Sequence, residues 1–213
     1  MKKIIYDDET YLYLNFLNFN DFKDELLIKC NEIIENNSHV LTDNYTYFTM
    51  YKKLDFIGKI NIKNKIDEIL DNAIKTCIKI YAIEYNLQFN RIDADCWVNV
   101  VRAKNPVQDN FKNPQKKYHS HTLIEKKLGN FTPHFTWVYY IQMPDNLKEN
   151  DGVLFFLGKN DEECFILPKE GEIIVMSSDL QHSPNHALNS TKDRIVLAGN
   201  VGFEYIKNNK SLI

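Results

Sequence analysis

The residues best placed to do chemistry are histidines. Five of the six lie between His119 and His186. The sharpest local feature is His119-Ser120-His121. On an extended strand, residues i and i+2 point to the same face, so both imidazoles can reach one metal ion from one side. Neutral imidazole suits iron, zinc, copper and nickel. A third ligand must come from a distant strand, and His182 is the natural candidate. It follows the apolar run Glu172–Met176 by the short polar turn Ser177–Gln181, which sets it at a strand end. His186 stands four residues later, but Pro184 lies between, which argues against chelation by one helix face. An isolated H-x-H also arises by chance in exposed loops, so the order of the other polar residues must carry the reading.

Arg194 is the second element. It opens the apolar run RIVLAGNVGF, twelve residues after His182. An arginine there is ordinarily solvated or paired with a neighbour such as Asp193. Pointed inward, its planar fork suits a carboxylate. Asn99 is the third element, in the run DCWVNVVR. A buried asparagine needs a hydrogen-bond partner, which backbone can also supply. Trp97 reads as core.

These side chains need elements to hold them. Two segments carry helical periodicity. Asp21–Asn36 sets Phe22, Leu26, Cys30, Ile33 and Ile34 on one stripe, with Asn20 or Asp21 available as N-cap. Ile62–Leu87 spaces Ile62, Ile66, Ile69, Ala73, Cys77 and Tyr81 by threes and fours. Val40–Tyr51 between them is strand-like. Beyond about residue 90 the runs are short and β-rich: Asp95–Arg102, Phe135–Gln142, Gly152–Leu157, Cys164–Leu167, Glu172–Met176 and Arg194–Phe203. Turn signals separate them, a texture of sandwiches and jelly rolls. The expected fold is α+β but mainly β. One domain over residues 1–213 has a helical N-terminal layer (1–90) against a β core (91–207).

Composition bounds the function. The 213 residues are 44% hydrophobic and 26% charged, which is ordinary for a globular chain and argues against disorder. A net charge of −3 removes the simplest case for a nucleic-acid binder. No apolar run is long enough to span a bilayer, and MKKIIYDDET is too acidic and short for a secretory leader. Cys30, Cys77, Cys96 and Cys164 form no C-x-x-C pair. A cytoplasmic protein with reduced thiols is expected. Abundant Asn, Lys, Ile and Tyr hint at an AT-rich source such as a phage or virus.

Taken in order, residues 95–205 resemble the iron(II)- and 2-oxoglutarate-dependent dioxygenases, in particular their phage-associated members. WVN supplies Asn99 and HSH supplies His119 and His121. FTWVYYIQ ends near Tyr140, DGVLFF brings Gly152, PKEGEIIVMSSDLQH brings Gly171 and His182, and DRIVLAGN brings Arg194. The resemblance implies a double-stranded β-helix. His119, His121 and His182 would bind Fe(II). Arg194 would hold the distal carboxylate of 2-oxoglutarate, with Asn99 also on the cosubstrate. O2 would be consumed and a C–H bond hydroxylated, releasing succinate and CO2. The substrate would be a small molecule or a peptide.

Two departures stand out. His121 occupies the place of the usual carboxylate ligand, which leaves a ferrous site at +2 instead of +1. Glu125, Asp109 or Asp179 are the carboxylates available to ligate instead. Val196 stands where a small polar residue is usual. The segment Thr122–Pro133, with Lys126-Lys127, reads as an inserted loop, either a lid or a solvated hairpin. His134 is a lesser ligand candidate, and His39 reads as surface. The runner-up resemblance is to cupins, using His119, His121, Glu125 and His182, with Gly171 eleven residues before His182. A jelly-roll structural or carbohydrate-binding module without metal is the non-enzymatic alternative.

Overall fold

The computed structural model describes residues 1–7, 10–36, 40–41, 46–56, 61–85, 89–103, 118–121, 134–148, 151–185, 187 and 190–205. The strands are β1 (Lys2–Ile5), β2 (Tyr11–Phe16), β3 (Val40–Leu41), β4 (Thr46–Phe56), β5 (Phe89–Val101), β6 (Phe135–Gln142), β7 (Leu154–Leu157), β8 (Glu163–Ile166), β9 (Glu172–Ser177), β10 (His182–Pro184) and β11 (Arg194–Tyr205). Two helices, α1 (Lys23–Asn36) and α2 (Lys65–Tyr85), come from the first half of the chain. No helix among the described residues is long and apolar enough to cross a membrane.

The strands form an eight-stranded sheet, ordered β1-β2-β9-β6-β11-β5-β4-β3, and a three-stranded sheet, ordered β10-β7-β8. Every pairing is antiparallel. This is the mainly β, two-sheet jelly roll with N-terminal helices that the resemblance implies. Residues 1–90 differ from a helical layer. Besides the helices they supply β1, β2, β3 and β4, two strand pairs at opposite edges of the large sheet. The strand-like run Val40–Tyr51 falls on β3 and β4, whereas β1 reaches the sheet through β2 and β2 through the distant β9, which local periodicity does not reveal.

Strand alternation gives the large sheet two distinct faces. Ala94, Cys96, Val98 and Val100 of β5, Trp137, Tyr139 and Ile141 of β6, Ile173 and Val175 of β9, and Ile195 and Leu197 of β11 pack with the helices. Leu26, Cys30, Ile33 and Ile34 of α1 and Ile66, Ile69, Leu70, Ala73, Ile74, Cys77, Ile80 and Tyr81 of α2 complete that core. The opposite parity, Trp97, Val138, Tyr140, Ile174, Met176, Val196 and Ala198, faces Leu154 and Phe156 of the small sheet.

The helix starts also depart from the expected caps. Neither Asn20 nor Asp21 caps α1. The chain enters through a 3-10 turn at Asn20–Phe22 that has no side-chain cap. At α2, Asn64 Oδ1 accepts the Asp67 N–H (3.0 Å), and Asp67 Oδ2 accepts the Lys63 N–H (3.0 Å). This reciprocal arrangement resembles a capping box.

Candidate metal centre

Backbone pairing brings the three predicted histidines together. His119 and His182 form an antiparallel bridge: the His119 N–H donates to His182 O (3.0 Å) and the His182 N–H to His119 O (2.9 Å). The His121 N–H donates to Ser178 O (2.8 Å). The short segment thus extends the small sheet beyond β10. Directly opposed residues share a face. His182 pairs with Phe156, which points into the space between the sheets. His119 therefore shares that face, and so does His121 two residues on.

Each histidine offers one ligand atom, and these atoms lie within 4.8 Å of one another. That bound is looser than the ~3–3.5 Å of a closed set of ~2.1 Å metal–nitrogen bonds. The ring centres, however, are 4.4 Å (His119–His182), 5.1 Å (His121–His182) and 5.5 Å (His119–His121) apart. A metal ~2.1 Å from a nitrogen is about 3.2 Å from its ring centre, so centres should be about 4.5–5.5 Å apart. The spacing of the ring centres is therefore compatible with one shared first-row divalent ion.

Protonation favours binding. His121 and His182 are buried while His119 is exposed. Burial first, then the neighbouring imidazoles, lowers His121 to about 3. Burial first, then His119, lowers His182 to about 4. Both are neutral at pH 7, with lone pairs available. His182 Nδ1 lies 2.9 Å from Leu180 O. As the donor in that bond, Nδ1 leaves Nε2 free to ligate. His121 Nδ1 is buried without a hydrogen-bond partner.

Arg194 opens β11 on this inner face. Asp193 does not pair with it, but with Arg102 (2.6 Å). No ion pair among the described residues involves Arg194. Its guanidinium lies 5.7 Å from the Tyr140 ring centre. Arg194 Nε and the Tyr140 hydroxyl are both buried without a hydrogen-bond partner. Burial works against the Arg194 charge. Burial also pushes Tyr140 up to about 12, with the Arg194 charge pulling the other way. The two groups approach each other closely enough for each to act on the other's proton, without a hydrogen bond of ordinary geometry, and such a pair fits an anion that both can contact.

Asn99 is half-buried on the same face, in one cross-strand row with Val196 and Tyr140. At the other end of the face, the Thr136 hydroxyl donates to Asn200 Oδ1 (3.0 Å). The Asn200 N–H donates to Asp95 Oδ1 (2.7 Å). The β5–β11 register runs unbroken from Arg194 to Ala198 and resumes at Val201, and Asp95 accepts an N–H in the gap. Gly199 permits the close approach there, since a Cβ would lie 2.0 Å from Asp95 O.

Other candidates fall elsewhere. Asp179 is exposed, accepts a hydrogen bond from the Ser177 hydroxyl, and is not among the residues whose ligand atoms converge. His134 faces the helices. It packs edge-on to Tyr81, and its Nδ1 accepts the Phe203 N–H (3.2 Å). Gly171, at φ +82°, forms the turn into β9, where a side chain would meet Phe16. Gly152, at φ +69°, turns the chain toward β7. Glu125, Asp109, His186, His39 and the segment Thr122–Pro133 lie outside the described residues. Two residues near the site were not singled out from sequence. Tyr140 read only as a strand end, and Trp97 read as core. Parity was the available signal, because Trp97 shares a face with Asn99.

No family model matches the chain, and no curated protein matches it. Solved structures do. A prolyl-4-hydroxylase from Pseudomonas putida superposes with a TM-score of 0.56 at 12% identity, over 90% of this chain and 92% of that one. The non-heme α-ketoglutarate-dependent epimerase SnoN of nogalamycin biosynthesis gives 0.60 at 7%, over 94% and 86%. A Trichoplax adhaerens prolyl hydroxylase, in complex with a peptide fragment of the oxygen degradation domain of hypoxia inducible factor, gives 0.55 at 12%, over 90% and 83%. These structures lend no support to a phage origin. They establish that the chain has the fold of the 2-oxoglutarate and iron(II) oxygenases.

Proposed function

We propose that the protein is an Fe(II)- and 2-oxoglutarate-dependent dioxygenase. It would hydroxylate a C–H bond of a small-molecule or peptide substrate and release succinate and CO2. The carrying observation is that three imidazoles on the small-sheet side and the Arg194–Tyr140 pair of the large sheet face the same space between the sheets. His119, His121 and His182 would hold the iron. Iron, with 2-oxoglutarate and O2, supplies the oxidising chemistry. Arg194 binds the distal carboxylate, and the Tyr140 hydroxyl donates a second hydrogen bond to it. With Val196 beside them, those two residues carry that contact without a third polar neighbour. Asn99 orients the cosubstrate from β5. Trp97, Val138, Met176, Ala198 and Phe156 wall the space and exclude water.

The histidine-only donor set also supports a second reading. A cupin-like metal oxygenase or isomerase would use His119, His121 and His182 with Glu125, and would not need Arg194. Succinate release separates the two. Uncoupled conversion of 2-oxoglutarate to succinate, stimulated on a panel of peptides and small molecules, supports the dioxygenase. Tight iron binding without 2-oxoglutarate turnover supports the cupin-like reading. Absence of metal binding leaves a structural jelly roll.

A further inference from the structure

Binding of one ion by three side chains requires each ring to be held at a fixed angle, and the three histidines differ in how that is done. His182 has a hydrogen bond, Nδ1 to Leu180 O at 2.9 Å. His121 Nδ1 has none, although the residue is only 6% exposed. What His121 has is an indole. The Trp97 ring lies nearly parallel to it, at 13°, with centres 5.6 Å apart. On the His182 side the rings are also nearly parallel, at 3° and 5.1 Å. Trp97 is itself 7% exposed and fixed on the inner face of β5, two residues from Asn99. Offset aromatic contacts of this geometry have a preferred orientation, so they restrain a ring as well as bury it. Metal-bound histidines are usually restrained by a hydrogen bond through the second ring nitrogen.

We infer that Trp97 is a positioning residue for His121: its indole, packed nearly parallel to the imidazole, holds that ring at the angle the metal requires. This rests on the reading of His119, His121 and His182 as ligands. It makes Trp97 an optical reporter of the site, since the other tryptophan, Trp137, belongs to the core on the helix side.

The test uses the whole chain, freed of metal and titrated with Co(II), whose visible bands report coordination directly. Trp97→Leu should weaken Co(II) binding about tenfold or more, the range for groups that orient a ligand. It should also change the visible bands, while thermal melting shows a folded protein. Trp97→Phe, which keeps an aromatic ring, should recover most of the affinity and the bands. In the wild type, Co(II) should quench a substantial part of the tryptophan emission, and Trp97→Phe should abolish most of that quenching. Wild-type affinity and bands in folded Trp97→Leu would overturn the inference while leaving the metal site intact. If Trp97→Leu does not fold, unquenched wild-type emission at saturating Co(II) would overturn it equally. If the wild type binds no Co(II), or His182→Ala binds as well as wild type, the metal reading itself fails and the role of Trp97 falls with it.

Discussion

The two faces of the large sheet obey different rules. The helix side is almost wholly apolar, built from Ile66, Ile69, Leu70, Cys77 and Ile80 of α2 against alternate residues of β5, β6, β9 and β11. The inner face keeps an apolar floor, yet carries the buried Asp95, Asn200, Thr136 and Arg194, and the small sheet opposite it adds the buried His121 and His182. Among the described residues, three of the four unsatisfied buried side-chain atoms, on His121, Tyr140 and Arg194, face the space between the two sheets. Buried polar groups without partners destabilise a fold. Their concentration between the sheets, with Trp137 Nε1 the one on the helix side, is what the proposed ligand site would account for.

Substitutions on the two faces should therefore separate stability from binding. The largest effect expected is on metal. His182→Ala should reduce iron or Co(II) affinity by at least about a hundredfold, more than the loss of a supporting group, as titration would show. Ile69→Ala on α2 should do the opposite. It should cost about 2–5 kcal/mol of stability in denaturant unfolding and leave metal affinity unchanged. Arg194→Met comes next. Losing the buried Arg194 charge proposed to face the carboxylate should weaken 2-oxoglutarate binding about a hundredfold, with metal affinity kept. The metal-free fold should be as stable as wild type or more so, because an unpaired buried charge has gone.

Between about pH 4 and 6.5 the pH dependence comes mainly from the two buried histidines facing the space between the sheets. His121 and His182 sit at about 3 and about 4, below the ordinary 6.5. Between those values and 6.5 the unfolded chain binds protons that the folded chain refuses. The stability of the metal-free protein must therefore rise with pH across that window and fall on acidification. From pH 6.5 to 5 the loss is about 2 kcal/mol per histidine. His121→Leu should remove one proton from that slope in urea melts at successive pH values. The smallest effect belongs to the helix side. Asn64→Ala removes the cap of α2 and should cost about 1 kcal/mol with no change in metal binding.

The sequence makes the site more legible than its frame. Strand β6 spans Phe135–Gln142 as expected, because turn residues bound a continuous apolar run. The i, i+2 spacing of His119 and His121 needs only an extended backbone to put both rings on one face. Strands β1 and β2, at one side of the large sheet, were hidden. KKII and YLYLNF carry no strong turn signal, and β2 pairs with β9 more than 150 residues away. β10 is three residues long and includes Pro184, which removes a ladder donor. Tyr140 and Trp97 became visible only once the register set them beside Arg194 and His121. That depends on long-range pairing, which one sequence does not display.

The central claim is that the inner face holds iron and 2-oxoglutarate together. Mixing the protein with Fe(II) and 2-oxoglutarate without oxygen tests it directly. The prediction is a visible metal-to-ligand charge-transfer band that requires both components, is lost in His182→Ala, and needs much more 2-oxoglutarate in Arg194→Met. Tight Fe(II) binding with no such band at saturating 2-oxoglutarate would contradict it.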